Sequence, residues 1–126
     1  MLEKDLHKLI AKYLKVKYPK VIFRTDFAAG MKMSMFMARK HNALQSSRAY
    51  PDLFIAESRK GFSGLFIEIK REDTVVFKKD GTIRKNEHLI EQHEMLKELE
   101  LRNYKAVFGI GYENITKIID EYLNSY

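Results

Sequence analysis

From Leu65 to Lys70 the chain runs Leu-Phe-Ile-Glu-Ile-Lys, and no other segment constrains the fold as much. Its apolar residues are aromatic or branched and bounded by turn formers, which predicts a strand over 65–70. Side chains alternate across a strand, so Leu65, Ile67 and Ile69 share one face while Phe66, Glu68 and Lys70 share the other. Such a strand either exposes its charged face or gives Glu68 and Lys70 something to bind, because buried unpaired charge is costly.

A second apolar strand, Leu53-Phe54-Ile55-Ala56, precedes it, and Arg59-Lys60-Gly61-Phe62-Ser63-Gly64 supplies turn residues between the two. The pair predicts a hairpin. Reflecting the chain about Gly61 and Phe62 carries Asp52, which follows Pro51, to the Glu68–Lys70 end. Two acids and a lysine then meet at the end of an apolar sheet. Magnesium suits such a site: it takes a few carboxylate oxygens, keeps waters and accepts phosphate oxygens. It also acidifies a bound water and neutralises charge on a phosphoryl transition state, while a neighbouring lysine steers the water. The backbone carbonyl of Ile69 is a further candidate ligand. The plainer alternative is a half-exposed strand with Glu68 and Lys70 paired as surface ions, since Glu-x-Lys is common in strands.

The remaining elements follow from periodicity. Leu2, Leu6, Leu9, Ile10, Tyr13 and Leu14 have helical spacing, and Pro19 ends that helix. Val21-Ile22-Phe23 predicts a short strand. Ala28 to Tyr50, opening at Gly30, is a long basic connection with a helical turn or two. Residues 71–85 are polar with an Asp80-Gly81 turn. A helix follows from about Asn86 to Arg102, then a strand at Ala106–Ile110, then a helix carrying Ile115, Ile118, Ile119, Tyr122 and Leu123.

With 126 residues and 45% hydrophobic content, the chain makes one domain, 1–126, with a real core. The net charge of +6 suggests a polyanionic partner, nucleic acid or an anionic surface. No apolar run is long enough for a bilayer span, so no membrane partner is expected. The N-terminus lacks the features of a secretory signal, and the absence of cysteine removes disulfides and thiolate metal sites. A cytoplasmic location is the expectation.

Two polar residues fall on otherwise apolar helix stripes. Gln92 shares a face with Leu89 and Leu96, and Glu3 projects into the arc of Leu6, Ile10 and Leu14. Each either reaches solvent from the stripe margin or aims inward at a shared site.

Pro51-Asp52, then Glu68-Ile69-Lys70, then Gln92 resembles the PD-(D/E)xK nuclease pattern, and most closely its VRR-NUC branch. The likeness covers nearly the whole chain, and its specificity lies in order and spacing. It implies an α/β fold with a restriction-endonuclease-like core, a mixed β-sheet flanked by α-helices. It implies Asp52 and Glu68 as metal ligands, Lys70 as the catalytic lysine, Gln92 near the metal and Glu3 as the supporting first-helix glutamate. Where the family usually carries glycine before Pro-Asp, this chain has Ala49-Tyr50. The activity implied is a DNA endonuclease using Mg2+ or Mn2+. Stand-alone domains of this branch resemble viral homodimers that cut branched DNA such as Holliday junctions, which places the protein in the host-cell cytoplasm if viral. Restriction-type or mobile-element nucleases are further options within the class.

Arg39, Lys40, Arg48, Arg71, Lys78 and Lys79, with Lys60, Arg84 and Lys85, are candidate phosphate contacts or simply a solvated surface. His7, His41, His88 and His93 show no metal-binding spacing and are taken as surface or packing residues, with His93 of interest beside Gln92. Met31, Met33, Met35 and Met37 suit adaptable packing, including at a subunit interface. Two competing readings are a non-catalytic nucleic-acid-binding module and a basic interaction protein with coincidental motifs.

Overall fold

The first amphipathic stripe folds as α1, Glu3–Lys17, in the computed structural model, which describes residues 1–26 and 33–125. Acids at Glu3 and Asp5 begin this helix and Lys15 and Lys17 end it, both complementing the helix dipole. Leu6, Ile10 and Leu14 are fully buried, whereas Leu2 and Leu9 are exposed.

Strand β1 covers Phe23–Thr25, later than the apolar triplet at 21–23 suggests. Pairing decides the difference. Phe23 stands opposite Ile55 and Thr25 opposite Leu53, and Ala56 N donates to Ile22 O at 2.8 Å. The ladder partner, not local hydropathy, sets where this strand lies. Helix α2, Met35–Ala43, begins at Ser34, whose hydroxyl accepts from Met37 N at 3.2 Å. The expected helical turns in the basic connection are therefore a nine-residue helix. Gly30 and Met31 lie outside the described residues.

Strands β2, Leu53–Ile55, and β3, Leu65–Lys70, form the expected hairpin. Its turn sits one residue earlier than Gly61–Phe62, at Lys60 and Gly61, both with positive φ (49° and 81°). Arg59 and Phe62 exchange backbone hydrogen bonds across it. Two successive left-handed residues match the twist of a tight hairpin, and the glycine accepts that conformation without strain.

Helix α3, Glu87–Leu101, is capped by Asn86, whose Oδ1 accepts from Leu89 N at 3.1 Å. Strand β4, Lys105–Ile110, returns parallel to β3, and α4, Tyr112–Leu123, closes the chain. The sheet order is β1-β2-β3-β4, antiparallel until the last pair. This is a four-stranded mixed sheet with helices on both faces.

One face carries Leu53, Ile55, Leu65, Ile67 and Ile69 against Leu6, Ile10 and Leu14 of α1 and Ile115 and Ile119 of α4. At about 1.5–3 kcal/mol per buried side chain, this layer is the main source of stability. Gly109 allows α4 to approach: a Cβ there would lie 2.6 Å from Ile115 Cγ1 and 2.7 Å from Ile67 Cγ2. The other face buries Phe66, Ala106 and Leu96, with Phe54 stacked on Phe66 at 4.4 Å. Strand β3 is thus covered on both sides along its apolar length, and its glutamate lies in the most enclosed strand of the sheet.

Candidate functional site

The hairpin register fixes the centre of the site. Leu53 opposes Ile67, so one step further Asp52 opposes Glu68, and two steps further Pro51 opposes Ile69. Asp52 is held there by its backbone and its side chain. Its carbonyl accepts from Asp26 N at 2.8 Å, and its Oδ2 accepts from Ile69 N at 3.0 Å. Pro51 has no N–H to offer, so the β2 side gives the Ile69 carbonyl no ladder donor. That carbonyl is placed to ligate a cation.

Glu68 is 4% exposed and receives a hydrogen bond from Gln92 Nε2 at 2.9 Å on Oε1. Lys70 Nζ lies 3.8 Å from the same oxygen. Gln92 is itself buried, on the α3 stripe with Leu89 and Leu96, and its Oε1 has no hydrogen-bond partner. Its Nε2 also lies 3.1 Å from His88 Nε2. Glu3, at the first turn of α1, approaches from the opposite face of the sheet. His7, one turn along α1 on the same side, lies 3.9 Å from both Glu3 Oε1 and Asp52 Oδ2.

The electrostatics are set by burial and by the mutual approach of the acids. Burial pushes the Glu68 carboxyl well above its ordinary 4.5, and the charge of Asp52 adds to this. Burial likewise raises Asp52 above 3.8, although contact with Glu68, the nearby His7 and the Ile69 N–H all oppose the shift. Glu3, half-exposed and beside His7, is held below 4.5. The buried Glu68 carboxylate, the largely enclosed Asp52 carboxylate beside it and the unpartnered Gln92 amide oxygen make a hard, oxygen-rich donor set, to which the Ile69 carbonyl could add. Magnesium and manganese fit it.

The sequence-predicted residues Asp52, Glu68, Lys70, Gln92 and Glu3 thus come together at one end of the sheet, from β2, β3, α3 and α1. The basic candidates do not form one patch. Arg39 and Lys40 lie exposed on α2, beside the β1 edge. Lys78 and Lys79 lie on a turn whose neighbour Phe77 packs on His93 and Phe108, at the β4 side. Arg48 pairs with Glu91 and Arg71 with Asp73, each at 2.8 Å. His93 stacks on Phe108 and is a packing residue.

The residue that sequence reasoning passed over is His7. Taken as surface or packing, it is 5% exposed and faces the two acids, and neither ring nitrogen has a hydrogen-bond partner. A signal was present: positions 3, 7, 10 and 14 form one continuous helical stripe, on which His7 sits between Glu3 and the buried Ile10.

A groove of about 690 Å³ opens beside Asp52, between the β1–β2 edge and α2. Arg24, Lys40, Met37, Tyr50 and Phe54 line it. Tyr50, where the resembled pattern has glycine, packs edge-to-face on Phe66 at 5.6 Å, and the chain still delivers Asp52 in register.

Comparison with known proteins agrees with this architecture. No family model and no curated protein matches the sequence. A solved structure described as a VRR_NUC domain protein superposes with a TM-score of 0.65, at 22% identity, over 99% of this chain and 90% of that one. The fold is a VRR_NUC fold.

Proposed function

We propose that this chain is a metal-dependent deoxyribonuclease that hydrolyses DNA phosphodiester bonds, with branched duplex such as a four-way junction as its preferred substrate. The observation that carries the reading is the apposition of the buried Glu68 and the largely enclosed Asp52, both raised in pKa, beside Lys70 and Gln92. A surface ion pair has no need of that enclosure.

In this reading Asp52, Glu68 and the Ile69 carbonyl would hold Mg2+ or Mn2+. A divalent cation held there would supply an acidified water and offset charge developing on the phosphate. Lys70 orients the attacking water and stabilises the developing negative charge. Gln92 fixes the Glu68 carboxylate through its Nε2 and presents its free Oε1 to the same space. Water oxygen bonds to phosphorus, the P–O bond to the leaving oxygen breaks, and that oxygen takes up a proton.

The groove beside Asp52 gives the DNA backbone a path to the site. Arg24 and Lys40 meet phosphates there, and Tyr50 offers a ring to a base. Arg39, Lys78 and Lys79 extend phosphate contact to either side, and Arg48 and Arg71 exchange their carboxylate partners for phosphate. One domain supplies one site, so a homodimer is the form that makes paired cuts in a junction.

The test is incubation with linear duplex, flap and four-way-junction DNA, with and without Mg2+ or Mn2+, beside Asp52→Ala and Lys70→Ala. Metal-dependent cutting lost in both variants is expected. Binding without cutting under every metal condition would instead establish a non-catalytic binding module.

A further inference from the structure

His7 is the buried polar side chain that the mechanism above leaves unused. A buried imidazole gives up hydrogen bonds to water, and each ring nitrogen left unpaired carries a desolvation penalty. His7 accepts that cost at both Nδ1 and Nε2, at 5% exposure. Such a group in a native core calls for a partner.

The geometry supplies one. His7 Nε2 lies 3.9 Å from Glu3 Oε1 and 3.9 Å from Asp52 Oδ2. Those separations are too long for hydrogen bonds. Two ligand atoms each about 2.1 Å from one ion stand between about 3 Å apart, at right angles, and about 4.2 Å apart, directly opposite. All three ligand atoms lie within 4.8 Å of one another. Glu3 and His7 come from successive turns of α1, and Asp52 from the position just before β2. Glu3 is partly solvent-exposed, which leaves an entry route for an ion.

We propose that Glu3, His7 Nε2 and Asp52 ligate a divalent ion, and that this nitrogen ligand makes the site select Mn2+ over Mg2+. The proposal deepens the nuclease reading above and rests on it for the ion's use, though not for its binding. Magnesium takes oxygen ligands and parts reluctantly with its waters, whereas manganese and later transition ions accept imidazole. Asp52 then belongs to both donor sets, facing Glu68 on one side and His7 on the other. The neutral imidazole binds through Nε2 with its proton on Nδ1.

The experiment is pulsed electron paramagnetic resonance on the full chain loaded with Mn2+, with binding of Mn2+ and Mg2+ measured by calorimetry. Wild type is expected to show coupling of Mn2+ to an imidazole nitrogen and to bind Mn2+ at least about tenfold more tightly than Mg2+. His7→Gln is expected to lose the nitrogen coupling and weaken Mn2+ binding by about 10–100-fold. Its Mg2+ affinity should change much less. Glu3→Gln, which keeps the imidazole and lies at a half-exposed position, is expected to weaken Mn2+ while retaining the coupling, and it serves if His7→Gln fails to fold.

Mn2+ bound without nitrogen coupling would overturn the proposal, as would failure to bind Mn2+. Coupling that persists in His7→Gln would also overturn it, assigning the nitrogen to His88 beside Gln92. A DNA cleavage assay on the same samples separates the two readings. Nitrogen-coupled Mn2+ without cleavage removes the nuclease and keeps the site, whereas cleavage without coupling does the reverse.

Discussion

At the scale of single residues, burial and the proposed metal chemistry meet at Glu68. Its folded pKa is raised by burial and by Asp52, so the folded chain holds a proton that the unfolded chain has lost. A raised folded pKa contributes stability below the unfolded value near 4.5, and that contribution is lost as pH rises through the folded one. Metal-free protein should therefore lose thermal stability as pH rises from about 4.5 towards neutrality. Divalent metal should reverse that loss, because cations compete with the proton for the same oxygens. Scanning calorimetry across pH with and without Mn2+ measures both effects. Glu68→Gln keeps an acceptor for Gln92 and removes the buried charge, so at pH 7–8 it should raise the melting temperature of metal-free protein by a few degrees while abolishing cleavage. An unchanged or lowered melting temperature would show that Glu68 is not the strained group.

Asp52 and Glu68 were legible in the sequence because strand alternation and hairpin reflection are strict rules, tolerant even of a turn misplaced by one residue. His7 was not read, because a histidine on a helix stripe becomes informative only when the residue facing it is known, and Asp52 is 45 positions away.

At the scale of elements, α1 carries both Glu3 and His7, so the fastening of α1 matters to the site. Asp120 of α4 fastens it, accepting from the Tyr13 hydroxyl at 2.7 Å and the Tyr18 hydroxyl at 2.6 Å, with Lys17 Nζ at 3.1 Å. Asp120→Ala should cost about 1–3 kcal/mol in urea unfolding. It should also raise the Mn2+ concentration needed for half-maximal cleavage, whereas a metal requirement unaffected by the change would mean that α1 is held by its apolar stripe alone. Gly109→Ala pushes α4 off β3 and β4, at a cost of about 1–3 kcal/mol. The helices and the central hairpin were legible because each carries its own periodicity. Strand β1 was displaced because three residues hold too little pattern, and pairing with Ile55, Phe54 and Leu53 decides its position. Helix α2 escaped definition because none of its residues is buried, so no apolar stripe announces it.

At the scale of the whole molecule, a net charge of +6 with cations on both flanks of the site predicts binding dominated by phosphate contact. Affinity for DNA should fall steeply with salt, and Lys78→Ala with Lys79→Ala should reduce the slope of log K against log salt by about 1–2 without altering sequence preference. Fluorescence anisotropy over a salt series measures this, and an unchanged slope would place these lysines away from the DNA. The mixed sheet flanked by helices was legible from element order, and the VRR_NUC fold bears it out. The groove beside Asp52 was not legible, since it is formed by β1, β2 and α2 meeting across long sequence separations.

The proposed chemistry is DNA cutting by Asp52, Glu68 and Lys70 with a divalent metal. The most direct measurement is single-turnover cleavage of a four-way junction by wild type, Asp52→Asn and Lys70→Met, each with Mn2+ and with chelator. Wild type is expected to cut only with metal, and each variant to be slower by about 10²-fold or more. Equal rates in all three proteins, or cutting undiminished by chelator, would contradict it.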